Sequence, residues 1–189
     1  MKINLAKSAG FCFGVKRAID IALKTASCAK EIYMFGDIVH NETVTELIEK
    51  NGIKKIGRLP GGKNKILLIR AHGISLKTLG KAKKAGYEIV DATCPMVKEI
   101  HRIAQEMEKK SYRIIVIGDK KHDETRGIVG HLKTKAIVID SGEKPSASKF
   151  KDIQKACVVV QSTQNIEKAQ KIISLLKKDF LERPKSPPD

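Results

Sequence analysis

Tryptophan is absent from this 189-residue chain and aromatic residues make up only 4% of it, so the stacking platforms that single-stranded nucleic acid needs are poorly supplied. Long apolar runs are missing as well. The longest aliphatic stretches, such as residues 66–69, fall far short of a membrane span. Acidic residues are the minority, 21 against 37 Lys and Arg, for a net charge of +16. The lysines are scattered as pairs (Lys54-Lys55, Lys83-Lys84, Lys109-Lys110, Lys120-Lys121, Lys177-Lys178) rather than gathered in one block. That pattern reads as a solvated basic surface before it reads as a nucleic-acid footprint. A basic field also attracts an anionic substrate or an acidic electron donor. The four cysteines (Cys12, Cys28, Cys94, Cys157) show no paired local spacing, and residues 1–10 lack the apolar core of a signal peptide. The expectation is a cytoplasmic protein in a reducing compartment, with no disulfide framework and no membrane anchor.

What is present is enough apolar sequence, 41%, to bury a real core. Strand-like runs at residues 3–6, 32–35, 53–56, 65–70, 87–90, 113–117, 136–139 and 157–160 alternate with helical periodicity at about 15–26, 44–48, 75–85, 95–111 and 166–180. Asn41 or Thr43 would cap the second helix. Residues 141–148 read as a polar loop. Alternation of this kind implies an α/β fold with small, mostly parallel sheets covered by helices, here as two similar αβ lobes, residues 1–94 and 95–180. Residues 181–189 are rich in proline and read as a disordered tail.

Parallel sheets bind ligands beyond the carboxyl ends of their strands, and the polar residues of interest fall there: His40, His72, Cys94, His122 and Ser162. Cys94 lies in Asp91-Ala92-Thr93-Cys94-Pro95, between a strand and a helix that Pro95 opens. Cys12 lies in Gly10-Phe11-Cys12-Phe13-Gly14-Val15, also directly before a helix. Free backbone N–H groups and the helix dipole at such places favour negative charge, including that of a metal-binding thiolate. For either cysteine alone, a small residue packed at a tight turn is the competing reading. Cys28 reads as packing, Cys157 as part of a strand, and His101 and His131 as structural. His40-Asn41-Glu42-Thr43 and His122-Asp123-Glu124-Thr125 share three of four residues, an internal echo between the lobes.

Taken together and in order, Gly10 to Val15, Val39-His40-Asn41, Ala71-His72-Gly73, Asp91 to Pro95 and His122-Asp123-Glu124 resemble the LytB (IspH) family of 4-hydroxy-3-methylbut-2-enyl diphosphate reductases, over residues 1–180. Any one of these motifs is weak, whereas five in order and spacing are specific. The resemblance implies a 4Fe-4S cluster held by three cysteines, with one iron open to substrate, and it assigns Cys12 and Cys94 as two of the three ligands. It implies a reaction in which two electrons and two protons remove the substrate hydroxyl as water, giving isopentenyl or dimethylallyl diphosphate in the methylerythritol phosphate route to isoprenoids. Glu124 matches the proton donor; the motif by itself could not separate it from Glu42. His40, His72 and His122 match positions that hydrogen-bond the diphosphate, where a protonated imidazole suits an anion. Ser162 stands where the family has a threonine that fixes the substrate hydroxyl, and Asp123 replaces a usual proline.

The family has three αβ lobes, and the third carries the remaining cysteine ligand and further diphosphate-binding groups. None of its motifs is found here, and Cys157 does not match the missing ligand. The expectation is therefore two of three lobes, with the strand near residues 2–6 belonging to the absent one, and little turnover by this chain alone. A companion chain could supply the third lobe, and a ferredoxin or flavodoxin is the implied electron donor. Two other classes remain as alternatives. A basic nucleic-acid-binding protein would lose affinity steeply with salt and be indifferent to Cys12 or Cys94. A structural zinc site would contain zinc without sulfide.

Overall fold

The computed structural model describes residues 3–4, 6–7, 9–140, 142–143, 145 and 147–181; residues 182–189 of the expected tail lie outside these. The chain divides into two compact units, Met1–Lys98 and Glu99–Asp189.

The first unit contains α1 (Phe13–Ala26), β1 (Glu31–Phe35), α2 (Glu42–Lys50), β2 (Ile53–Ile56), β3 (Lys65–Ile69), α3 (Leu76–Lys84), β4 (Glu88–Asp91) and the first turn of α4 (Pro95–Lys109). Its strands are ordered β2-β1-β3-β4, and all neighbours are parallel. Parallel strands are buried on both faces, and the alternation along them follows from that. Ile32, Met34, Ile66 and Leu68 pack with Ala18 and Ala22 of α1 and with Val44 and Ile48 of α2. Tyr33 and Leu67 turn the other way, toward Ala82 of α3 and Tyr87. The helices start where local chemistry allows. Asn41 Oδ1 accepts the Val44 N–H at 3.0 Å, which resolves the choice between Asn41 and Thr43 as cap, and Ser75 Oγ accepts the Thr78 N–H at 3.2 Å. Removing such a cap costs about 1 kcal/mol. Asn41→Ala is expected to lower the urea unfolding free energy by about that amount.

The second unit contains the rest of α4, then β5 (Arg113–Ile117), α5 (Asp123–Val129), β6 (Ile137–Ile139), a short 3-10 helix (Ala147–Phe150), β7 (Ala156–Val160) and α6 (Ile166–Leu181). Its parallel sheet has the order β6-β5-β7. One face packs Ile115, Ile117 and Ile139 against Phe150 and the α6 residues Ala169, Ile172 and Leu176. The other packs Ile114, Val116 and Val159 against Ala104 of α4 and Ile128 of α5. In both units the first strand is flanked by the second and third, so successive connections leave in opposite directions and open a crevice between the first and third strands.

Ile3, Asn4 and Ala6 join neither described sheet; residues 2 and 5 lie outside the described ones. Three local expectations need correction. Helix α5 escapes a periodicity reading because it has only seven residues and opens on Asp123 and Glu124. The polar loop at 141–148 is interrupted by the 3-10 helix, which delivers a fully buried Phe150. Cys28 is exposed beyond the end of α1 rather than packed. Among the described residues no helix is long and apolar enough to cross a membrane.

Candidate functional site

In the first unit the loops after β1, β3 and β4 are stitched together through the main chain of one residue. Ala71 donates its N–H to Ile38 O at 3.1 Å and accepts the Cys94 N–H at 2.9 Å. Sequence reasoning did not single out Ala71, since a backbone role leaves no side-chain signal. The consequence is that His40, His72 and Cys94 are carried on loops of one frame. The His40 and His72 rings are stacked, with centroids 4.4 Å apart and planes at 25°, beyond the carboxyl ends of β1 and β3 where the crevice opens.

The Cys94 turn is braced at nearly every polar group. Ala92 N–H donates to Ile69 O at 2.9 Å, and Lys98 N–H to Cys94 O at 3.0 Å. Thr93 N–H donates to Asp91 Oδ1 at 2.9 Å, and Lys98 Nζ lies 2.6 Å from Asp91 Oδ2. Burial pushes the Asp91 carboxyl up, but the hydrogen bonds from Lys98 and Thr93 and the Lys98 charge outweigh it and hold the group below the usual carboxylate range. From α1, Arg17 Nη1 donates to Thr93 O at 3.1 Å.

Cys12 is the N-cap of α1 and makes no side-chain capping bond there, so its sulfur is left for another partner. Gly14 explains how the helix approaches so closely. A Cβ built on Gly14 would stand 2.5 Å from Cys94 Sγ and 4.0 Å from Cys12 Sγ. Both sulfurs therefore converge on the first turn of α1. Both cysteines are free. Two converging thiols over a cradle that one methyl would fill suit two corners of a thiolate-held iron–sulfur centre, which takes more ligands than these two.

In the second unit the crevice between β5 and β7 holds Glu124 and Ser162. Glu124 is fully buried. Its Oε1 accepts the Ser162 N–H at 2.6 Å, and its Oε2 the Ser162 hydroxyl at 2.8 Å. Gln161, also buried, fastens the same crevice. Its Oε1 accepts the Asp119 N–H at 3.0 Å and the Thr125 hydroxyl at 3.1 Å, and its Nε2 donates to Thr163 Oγ1 at 2.7 Å. A Cβ on Gly118 would lie 2.6 Å from Thr125 Oγ1 and 2.9 Å from Gln161 Oε1, so glycine is needed for this network to close. Gln161 and Gly118 are contributors that sequence reasoning passed over.

His122 caps α5: its Nδ1 accepts the Glu124 N–H at 3.1 Å. With Nδ1 taken up by this cap, Nε2 is the ring nitrogen left for a ligand. The echo between the lobes is displaced by one residue in its capping, Asn41 in one and His122 in the other. Burial separates the two glutamates: Glu42 is exposed whereas Glu124 is enclosed. His101 and His131 form a separate stack, centroids 3.9 Å apart, and His131 Nδ1 lies 2.8 Å from Gly127 O. Cys157 lies within β7, and burial pushes its thiol up, away from reactivity.

Parallel αβ units with their polar groups gathered at the carboxyl ends of the strands, one unit bearing two convergent thiols, define an α/β protein of the crevice-binding class. The model of the family described as LytB protein matches residues 3–186, and the chain belongs to that family. Among curated relatives, the 4-hydroxy-3-methylbut-2-enyl diphosphate reductase of Geotalea uraniireducens is 37% identical over 173 residues, covering 92% of this chain and 61% of its own length. That of Caldanaerobacter subterraneus subsp. tengcongensis is 39% identical over 185 residues, covering 94% and 62%. The chain thus spans about three-fifths of these relatives. A solved (E)-4-hydroxy-3-methyl-but-2-enyl diphosphate reductase, described as the terminal enzyme of the non-mevalonate pathway, superposes with a TM-score of 0.78 at 28% identity, over 93% of this chain and 63% of that one. The corresponding reductase from Plasmodium falciparum gives 0.81 at 31% identity, over 93% and 56%.

Proposed function

We propose that these residues form two lobes of a 4-hydroxy-3-methylbut-2-enyl diphosphate reductase of isoprenoid biosynthesis, in which Cys12 and Cys94 are two ligands of a 4Fe-4S cluster. When bound, such a cluster supplies single electrons and an iron open to the substrate oxygen. The remaining ligand comes from sequence outside these 189 residues, in the same polypeptide or a companion chain.

The chain's own residues bind the substrate and move protons. His40 and His72, on the first unit, and His122, through Nε2, donate hydrogen bonds to the diphosphate. Glu124 is the proton source. Because its carboxyl is fully buried, the protonated acid gives its proton to Ser162 Oγ as that exposed hydroxyl releases its own proton outward, and the carboxylate left behind accepts the Ser162 hydroxyl. Over one turnover two protons and two electrons are consumed and the hydroxyl departs as water. The donor is an acidic ferredoxin or flavodoxin, and a net charge of +16 speeds its encounter with the chain.

The observation that carries this reading is the convergence of the Cys12 and Cys94 sulfurs on Gly14. Anaerobic reconstitution with iron and sulfide tests it. Fused to the uncovered part of the Caldanaerobacter relative, the wild-type chain is expected to take up both elements in equal amounts, and Cys12→Ser and Cys94→Ser each to lose at least nine-tenths of that uptake (about 1.4 kcal/mol per tenfold), while Cys157→Ser keeps it. Uptake that survives both substitutions, or zinc without sulfide in the protein as isolated, would contradict the proposal.

A further inference from the structure

We infer that Arg17 is a positioning residue that ties the Cys94 turn to the helix capped by Cys12, fixing the spacing of the two thiols. This rests on the reading that those thiols hold a cluster.

The carbonyl of Thr93 sits one residue before Cys94 in a buried residue. It cannot join the ladder of α4. That helix opens at Pro95, and its first backbone bond runs from Lys98 N–H to Cys94 O. Among the described residues no backbone N–H reaches Thr93 O, and a buried carbonyl without a partner is disfavoured. The partner it has is the guanidinium of Arg17, 76 positions away. The other bonds of the turn come from β3, the loop after it, and the turn's own side chains. They hold Cys94 to the sheet but do not reach α1, which the sheet otherwise holds by apolar packing, Ala18 and Ala22 included. Arg17 supplies the missing connection, five residues after Cys12 on α1. A guanidinium donates charge-assisted bonds that are stronger than neutral ones, and its planar fork holds direction as well as distance. Gly14 lets the helix come close, and Arg17 keeps it there.

The test uses the full chain as Arg17→Met and Arg17→Lys. In the cluster-free protein, the ratio of Cys94 to Cys12 alkylation by iodoacetamide is read by mass spectrometry. After anaerobic reconstitution of the same variants fused to the uncovered part of the Caldanaerobacter relative, the rate of iron loss to a chelator and the electron paramagnetic resonance spectrum of the reduced cluster are read. Arg17→Met is expected to raise both the alkylation ratio and the rate of iron loss about tenfold, the scale of one charge-assisted hydrogen bond, and to alter the spectrum. Arg17→Lys restores most of each. An Arg17→Met protein with wild-type ratio, iron loss and spectrum would overturn the inference. If that variant does not fold, Arg17→Gln, whose shorter amide falls short of Thr93 O, takes its place with the same expected and contrary results. A wild-type fusion to the uncovered part of the Caldanaerobacter relative that takes up no cluster would sink the reductase reading, whereas the alkylation ratio of the chain still decides the role of Arg17.

Discussion

Gly14→Ala is expected to abolish cluster uptake while leaving the chain folded. The added methyl would stand 2.5 Å from Cys94 Sγ and 3.3 Å from Cys94 Cβ, where ordinary non-bonded contacts are about 3.5–4.0 Å. The sulfur is the free end of a side chain and can rotate away, so the fold survives at an overpacking cost of about 1–3 kcal/mol. Any such rotation moves the Cys94 sulfur off the cradle, which is expected to undo the convergence. Iron content after reconstitution and the urea unfolding midpoint measure the two effects separately. A variant that unfolds at nearly the wild-type midpoint yet retains no iron fits the account. One that retains a full complement of iron would mean that the cradle is not where a cluster sits.

The second large effect concerns Glu124, and two substitutions divide its roles. In Glu124→Gln the amide oxygen can still accept the Ser162 N–H, and the amide N–H can donate to Ser162 Oγ, so packing is conserved. The loss is the acidic proton. Fused to the uncovered part of a relative such as the Caldanaerobacter reductase, the variant is expected to turn over about 10²- to 10⁴-fold more slowly than the same fusion with Glu124, the range general acid–base groups contribute. In Glu124→Ala the Ser162 N–H and hydroxyl lose the acceptor they have here, and the fold is expected to lose about 1–3 kcal/mol besides. Equal turnover in Glu124→Gln and wild-type fusions would remove Glu124 from proton delivery.

Much of the fold was legible because its signals are local. The buried runs of β1, β3, β5 and β7 and the α4 start at Pro95 are set by near neighbours in sequence, and strand alternation with helices leads directly to parallel sheets. The failures have physical causes too. Helix α5 is two turns long with an acidic first turn, and Phe150 is an isolated aromatic in a polar stretch. At the candidate site, residue type and motif order pointed to Cys12, Cys94, His40, His72, His122, Glu124 and Ser162. Two features were beyond their reach. Ala71 acts through its main chain, and Arg17 reaches across 76 positions to a carbonyl. Each is a long-range fact that no local pattern encodes.

The most direct test of the central claim is turnover of 4-hydroxy-3-methylbut-2-enyl diphosphate by three reconstituted proteins: this chain alone, the chain fused to the uncovered part of the Caldanaerobacter relative, and that fusion carrying Cys94→Ser. The expected result is product from the wild-type fusion and none from the other two. A fusion that folds and takes up iron and sulfide but forms no product would contradict the claim, as would full turnover by the 189-residue chain by itself.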